Sequence, residues 1–400
     1  MKTLYLHMGF GKTASTSVQA TLAKNEGLID VSYPRFLDLK NRKMQSHFNM
    51  LTSLFSDSPQ TFRDNILNNF DSEEVNSFYE KVLDEILSET NDIILSSETI
   101  PSFNRNELRK LLAKLNNSEF KIRPIAFVRS PYSSLNSVLQ QKAKSGGVID
   151  FNNLPSFSVS EDVKKLISIF PNSEFYPFEL VCKHENGPAG FFLDLIGVKE
   201  QSNIEFVSDN KGIGNKSTRF INELNKVYPS IQSGKPNSIR KGRYYLDLSF
   251  DSDKFSLTKR EYEQVKSLLD EENNRLYELL GEGFTDKKYT FSEEYQFSLL
   301  DAKNLVEVAK GESEFVKEFA YTYLKNMGVR DTELLLQLFQ KKDHFDASFC
   351  IETALLLESI DLRKANQLMQ IAFKHRPNGP RVIKKLKQYE IALSKNKVKL

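Results

Sequence analysis

The chain has 400 residues, of which 40% are hydrophobic and 27% charged, and its formal net charge at pH 7 is +2. This length favours two domains, and the balanced charge argues against a surface that coats nucleic acid, so any anion site must be local. Only Cys182 and Cys350 are present, far apart, which is typical of a reduced compartment. We find no signal-peptide pattern and no membrane-spanning stretch, so we expect a cytoplasmic protein with no nucleic-acid partner and no membrane span.

Residues 2–24 predict a strand, a glycine turn and a helix. The apolar run from Thr3 to Met8 is typical of a buried parallel strand, and a helix is predicted from Val18, Leu22 and the alanines at positions 14, 20 and 23. Free N–H groups at the helix N-terminus, a lysine and several hydroxyls would form a phosphate cradle. The alternative is an ordinary connection whose hydroxyls only cap the helix. The candidate residues of this turn are Gly9, Gly11, Lys12, Thr13, Ala14, Ser15, Thr16 and Ser17.

The rest of the chain divides by its pattern into an α/β part and a helical part. Further strands are predicted from Asp92 to Leu95, Ile122 to Val128 and Glu174 to Phe178, and helices alternate with them. This order indicates an α/β fold with a central parallel sheet flanked by helices. Only helical patterns occur beyond Ser292. We therefore predict an α/β domain at residues 1–285 and an all-α domain at residues 294–400.

Two more predicted strands end in polar side chains, and ligands collect at this edge of a parallel sheet. One strand ends at Glu98, and the next ends at Arg129, with Ser137 eight residues later in the following helix. An arginine beside a helix N-terminus is a second anion site. Its alternative is an arginine paired with a surface carboxylate. Together with the first turn, it favours a ligand with two separated anionic groups.

These motifs resemble the bacterial branch of the sulfotransferases that use 3′-phosphoadenosine 5′-phosphosulfate (PAPS). HMGFGKTASTSVQ is similar to their P-loop-like 5′-phosphosulfate turn, and FVRSPYSSLNS to their 3′-phosphate motif. The resemblance implies that PAPS is the sulfuryl donor. We expect the acceptor to be a hydroxyl or amine of a carbohydrate or glycoconjugate. It implies that Arg129 and Ser137 hold the 3′-phosphate, and that the 5′-phosphosulfate is held by Lys12, Thr13, Ser15, Thr16 and Ser17.

Three further features are implied more weakly by the resemblance. Phe178 would lie near the adenine, although a core phenylalanine explains it equally well. Arg240 and Lys241 resemble a family loop near the 3′-phosphate, but the residues that usually follow are absent. Ala14 stands where the family has glycine. Alanine is strained there if the backbone needs a positive φ, and is harmless if the position is helical.

The predicted chemistry needs a proton acceptor and a cation, and no metal. Lys12 is suited to neutralise the leaving phosphate, and Glu98 is the candidate general base, with a structural carboxylate as its alternative. His47 is the other candidate base. No residue cluster has metal-ligand spacing. A P-loop kinase that uses ATP is the alternative enzyme, and an inactive scaffold that binds partners through its helical tail is the alternative from another class.

The helical tail contains one segment with the spacing of a tetratricopeptide repeat. The positions that match are Phe349, Leu356, Ala365, Met369, Ala372 and Pro377, with Thr353 in place of the usual glycine. One degenerate unit leaves two alternatives open, a surface for a protein partner and a cap on the catalytic domain.

Overall fold

The computed structural model describes residues 2–37, 44–45, 47–61, 73–155, 157–207, 212–293, 296–338, 347–359 and 361–397. The chain forms two compact units. The first contains residues 1–143, 148–212 and 255–294, and the second contains residues 144–147, 213–254 and 295–400. This grouping differs from the sequence-based division, because residues 213–254 join the helical tail.

The first unit is built on the predicted parallel sheet. Its strands are β1 (Thr3–Met8), β2 (Phe36–Leu37), β3 (Met44–Gln45), β4 (Ile93–Ser97), β5 (Lys121–Val128) and β6 (Glu174–Pro177). Its helices are α1 (Ser15–Lys24), α2 (His47–Phe55), α3 (Glu73–Leu87), α4 (Arg105–Asn116), α5 (Pro131–Lys144), α6 (Val159–Ile169), α7 (Phe178–Val181), α8 (Gly187–Leu195) and, after the α9 of the second unit, α10 (Lys259–Leu280). Short 3₁₀ helices cover Pro59–Thr61, Ile100–Ser102 and Glu282–Phe284.

The sheet has the strand order β4-β1-β5-β6 and all its pairings are parallel. The chain passes from β1 to β4 on one side and then crosses to β5 on the other. The strand order therefore reverses beside β1, and the carboxyl ends of β1 and β5 border the crevice where doubly wound sheets bind ligands.

Side-chain alternation along β1 produces a hydrophobic core on each face of the sheet. Leu4, Leu6 and Met8 belong to one cluster, which also contains residues of α2, α3, α4, α6 and α10. Tyr5 belongs to the other cluster, with Val18 and other residues of α1 and α8. Because a buried leucine stabilises a fold by roughly 1.5–3 kcal/mol, β1 anchors both layers and fixes the turn that follows it.

The second unit is mainly helical. It contains α9 (Asn215–Val227), the strands β7 (Ile231–Gln232) and β8 (Lys235–Pro236), and the 3₁₀ turn Ser238–Arg240. Its remaining helices are α11 (Leu299–Ala309), α12 (Glu314–Asn326), α13 (Thr332–Gln337), α14 (Ala347–Leu357), α15 (Leu362–His375) and α16 (Pro380–Lys397). Phe220 of α9 packs on Phe319 and Tyr323, with ring centroids 5.5 and 5.1 Å apart. These contacts explain why α9 groups with the tail.

The α/β prediction and its parallel sheet are confirmed, and the helical tail is helical in its described parts. The tetratricopeptide assignment stays a prediction. Helices α14 and α15 do pack on each other, and Ala365, Met369 and Ala372 are fully buried. Leu356 is 49% exposed, however, so one of the matching positions does not contribute to the core.

Candidate functional site

The turn after β1 is a tight connection with two residues in the left-handed region. Lys12 has a φ of 66° and Ala14 a φ of 61°. The Gly9 amide donates to the Ser97 carbonyl, with N···O 3.0 Å, and the Thr13 hydroxyl donates to the Phe10 carbonyl, with O···O 2.7 Å. Thr13 is fully buried, so its hydroxyl braces the turn, which is a different role from the predicted ligand contact. The positive φ of Ala14 answers the question that the sequence left open, since alanine is strained here.

Among the residues that the structure describes, no side chain caps the N-terminus of α1. Ala14 occupies the N-cap position, and the first turn of α1 contains no acidic residue. The Ser15 hydroxyl is buried without a hydrogen-bond partner in the described part of the chain. A Cβ added to Gly9 would lie 2.2 Å from the Ser15 Oγ, so only glycine allows this approach. An uncapped helix N-terminus with an unsatisfied hydroxyl fits an anion such as a phosphate.

Glu98 follows β4 and lies against the same turn, because a Cβ on Gly9 would be 3.2 Å from the Glu98 Cγ. Burial raises the pKa of the Glu98 carboxyl above its usual range, and the positive charge of Lys12 opposes that shift. The side chain nevertheless reaches solvent. A solvent-accessible carboxylate with a raised pKa beside a lysine has the properties of a general base.

Arg129 links the two predicted anion sites. Its Nη1 donates to the Lys12 carbonyl, with N···O 3.2 Å, and its Nε donates to the Ser133 Oγ at 2.7 Å. Its guanidinium lies over the Phe178 ring, 5.3 Å from the centroid. Burial lowers the pKa of Arg129, and the charge of Glu179 opposes this shift. The guanidinium remains a cation, since its ordinary pKa is far above neutrality.

The N-terminus of α5 differs from the expected open anion site, because protein carboxylates already occupy it. Glu179 Oε1 accepts from the amide and the hydroxyl of Ser130, at 3.3 and 3.0 Å. Asp286 Oδ2 accepts from the Tyr132 amide at 2.8 Å. The second site therefore depends on the Arg129 side chain and neighbouring hydroxyls, while these helix donors serve the fold.

One face of α5 supplies the polar side chains that complete the site. Ser133, Ser137 and Gln141 recur every four residues, so they share a helix face. Arg129 bonds Ser133, and Lys12 Nζ donates to Gln141 Oε1, with N···O 3.1 Å. Ser133 and Gln141 were not singled out from the sequence. Their spacing on either side of Ser137 is the signal that would have found them.

His47 is a structural residue, which corrects its prediction as the alternative base. It is fully buried, and its Nδ1 accepts from the Ser96 amide at 3.0 Å. Its Nε2 therefore carries the proton and donates to the Pro34 carbonyl at 2.7 Å. Burial lowers the pKa of His47 to about 4. With both ring nitrogens bonded, His47 has no atom to take a substrate proton.

Arg240 and Lys241, which the resemblance places near the 3′-phosphate, lie in the second unit. Arg240 is fully buried, and its guanidinium donates to Asn225 and to the backbone carbonyls of Tyr228, Arg243 and Tyr244. Lys241 follows with a φ of 46° and is exposed. The guanidinium donors thus hold the loop that carries Lys241, and burial lowers the pKa of Arg240 to about 10.

The structure brings most of the predicted residues to one sheet edge. Gly9, Lys12, Ser15, Glu98 and Arg129 meet there through the contacts described above, with Phe178 beneath Arg129. Gly11 and Thr16 are exposed, and Ser17 is buried in the first turn of α1. In the described ranges, no group of three or more His, Cys, Asp or Glu side chains is arranged to hold a metal.

No helix of the described chain combines the length and apolar character needed to cross a membrane. Comparison with protein-family models, curated proteins and solved structures finds no match to this chain. The functional argument therefore depends on the geometry of the site.

Proposed function

We propose that this chain is a PAPS-dependent sulfotransferase that moves the sulfuryl group to a hydroxyl or amine of a carbohydrate or glycoconjugate acceptor. The observation that carries the proposal is the bond from Arg129 Nη1 to the Lys12 carbonyl, with N···O 3.2 Å. It joins two cationic turns at the carboxyl edge of β1 and β5, where the strand order reverses. A ligand with two separated anionic groups matches this pair of cations.

The residues at the first turn fit the 5′ end of such a donor. When bound, PAPS supplies an activated sulfuryl group on a phosphate leaving group. Lys12 and the open N-terminus of α1 would hold this end, and the buried Ser15 hydroxyl would gain the partner it lacks. Arg129 and Ser137 would hold the 3′-phosphate, and Phe178 would support the Arg129 guanidinium.

Two side chains account for the proposed catalysis. The carboxylate of Glu98 would accept the proton of the acceptor hydroxyl as its oxygen bonds to sulfur. The ammonium of Lys12 would neutralise the negative charge that grows on the bridging oxygen of the phosphate leaving group as the bond from that oxygen to sulfur breaks. Glu98 and Lys12 interact electrostatically across the same turn, which supports assigning both to one transfer reaction.

Calorimetry tests this proposal directly. We expect 3′-phosphoadenosine 5′-phosphate, the product nucleotide, to bind more tightly than ATP and equally well with EDTA present. Labelled PAPS would then be offered with saccharide, phenol and lipid acceptors to identify the acceptor class. Tight ATP binding that requires Mg²⁺ would overturn the proposal and favour the kinase alternative.

A further inference from the structure

The last two helices of the second unit, α15 and α16, form a hairpin with a strongly positive charge, which we call the basic hairpin. Residues 362–397 contain ten lysines and arginines and one carboxylate, leaving 45 basic and 52 acidic residues in the rest of the chain. A chain that is almost neutral as a whole thus concentrates its positive charge in one pair of packed helices.

Most of this charge is exposed and is not neutralised by the fold. Six of these side chains are exposed and pair with no carboxylate in the part of the chain that the structure describes, namely Arg363, Lys374, Arg376, Arg381, Lys384 and Lys387. Lys385 differs, because it bridges to Glu358 at 2.7 Å. Unpaired like charges on neighbouring turns repel one another. Lys374 lies in the last turn of α15, where the helix dipole favours a cation, but the charges at the start of α16 gain no such stabilisation.

The N-terminus of α16 also carries positive side chains that do not stabilise the helix. A helix N-terminus is electrostatically positive and favours acidic side chains. The first turn of α16 has no acidic residue and contains Arg381, with Lys384 directly after it. These charges oppose the helix dipole. Stability alone therefore does not explain them, and an external anion at this end of the hairpin would.

Exposed apolar side chains accompany the charges. Phe373 is 39% exposed, Ile383 36% and Ile391 57%. Lys384, Lys387 and Ile391 follow one another at intervals of three and four residues, so they share one face of α16. The buried residues Val382 and Tyr389 lie on another side of the helix and attach it to the unit.

We propose that the basic hairpin docks on the surface of an anionic phospholipid membrane. The lysines and arginines would meet the lipid phosphates, while Phe373, Ile383 and Ile391 would reach the boundary of the acyl chains. Long lysine side chains suit this arrangement, because their stems lie along apolar surface while the ammonium stays with the headgroups. A soluble polyanion would match the charge, but would give no role to the exposed isoleucines.

Vesicle sedimentation with the full chain tests this contact. We expect binding to phosphatidylcholine vesicles that contain phosphatidylglycerol, and none to phosphatidylcholine alone. Since each charge near an anionic surface contributes roughly five-fold in affinity, Lys374→Gln/Lys384→Gln/Lys387→Gln should weaken binding roughly 100-fold. The matched control is Lys121→Gln/Lys164→Gln/Lys199→Gln, three exposed lysines of the first unit, which should bind like the parent chain.

A second variant separates a membrane from a soluble polyanion. Ile383→Ser/Ile391→Ser should weaken vesicle binding several-fold and leave heparin binding unchanged. No binding to anionic vesicles, an equal loss in the control variant, or full vesicle binding by the isoleucine variant would each overturn the proposal. Nucleotide binding is measured on the same samples, so failure of membrane docking is distinguished from failure of the sulfotransferase proposal.

Discussion

The turns after β1 and β5 occupy equivalent places in the sheet, yet their helix N-termini are treated differently. The first turn leads into α1 without a side-chain cap, and the Ser15 hydroxyl has no partner in the described chain. The second turn leads into α5, where Glu179 and Asp286 accept from Ser130 and Tyr132. The N-terminus of α1 can accept an external anion, while donors at the N-terminus of α5 are satisfied by the protein. We therefore call the turn from Gly9 to Ala14 the open turn, and the turn at Arg129 and Ser130 the closed turn.

This difference indicates which end of a ligand each turn would bind. The open turn can bind an anion through backbone and hydroxyl donors, so it suits the reacting end of a ligand. At the closed turn the Ser130 and Tyr132 donors are taken by carboxylates, so the Arg129 guanidinium and the hydroxyls of α5 suit recognition of a second charge. The same motif type, a strand end followed by a helix, thus yields two turns that differ in which hydrogen-bond donors the protein itself satisfies.

The largest expected effect concerns the chemistry at the open turn. Glu98→Gln should lower the transfer rate by about 10²–10⁴-fold, because glutamine keeps the size of the side chain but accepts no proton. Nucleotide affinity should be almost unchanged. In the parent chain the transfer rate should also fall at low pH, as acid protonates Glu98. This decrease should be absent from the pH–rate profile of the variant. Glu119→Gln, at an exposed carboxylate, is the control, and an equal loss there would contradict the assignment.

The next largest effect tests whether Arg129 binds the 3′-phosphate at the closed turn. Arg129→Ala should weaken binding of 3′-phosphoadenosine 5′-phosphate by about 1.5–3 kcal/mol, as expected for a charged hydrogen bond. Adenosine 5′-phosphosulfate, which lacks the 3′-phosphate, should lose much less. Calorimetry with both ligands gives the difference, with Arg109→Ala as an exposed control. Equal losses for both ligands would mean that Arg129 does not contact the 3′ group.

Two glycines in the open turn should respond differently to a methyl group. In Gly9→Ala the new Cβ would overlap Ser15 Oγ, so we expect a loss of about 1–2 kcal/mol in the free energy of unfolding, and weaker nucleotide binding. Gly11→Ala should be almost neutral, because within the described chain no heavy atom apart from those of Gly11 and its two chain neighbours lies within 4 Å of the added Cβ. Thermal unfolding measures both. Similar stability of the two variants would show that the turn is looser than described.

Acid should lower the free energy of unfolding, because two histidines are buried next to Ser96 of β4. His7 Nδ1 bonds Ser96 Oγ at 2.8 Å, and burial lowers the pKa values of His7 and His47 to about 4. The unfolded chain therefore binds more protons between about pH 6.5 and 4, and stability is lost as pH falls through that window. Each histidine contributes a slope of up to about 1.4 kcal/mol per pH unit. In urea unfolding at several pH values, His7→Gln should show a smaller slope, and an unchanged slope would contradict this account.

The smallest expected effect concerns the strained alanine of the open turn. Because Ala14 adopts a φ of 61°, Ala14→Gly should raise the free energy of unfolding by about 1 kcal/mol. Ala20→Gly, inside α1, should lower it by about the same amount, because glycine weakens a helix interior. Thermal unfolding of both variants would show the opposite signs. A destabilised Ala14→Gly would mean that the left-handed conformation is not strained.

Much of the fold follows from the sequence because its signals are local. Apolar residues recur at helical spacing from Glu73 to Leu87, which is the observed α3, and a proline directly after Ser130 is typical of the helix start that is observed at Pro131. Apolar runs placed β1, β4 and β5, and glycines with Lys12 marked the open turn. These features depend on residues close together in the chain, so periodicity and turn chemistry suffice to find them.

The tertiary structure decided the features that depend on distant residues. The burial of His47 against Ser96, the enclosure of Arg240 in the second unit, and the carboxylates of Glu179 and Asp286 at α5 all join segments far apart in sequence. A lone histidine or arginine looks the same in sequence whether it faces solvent or bonds to the backbone. Only packing, which sets burial and hydrogen-bond partners, determined which of these charged and polar groups remain available to a ligand.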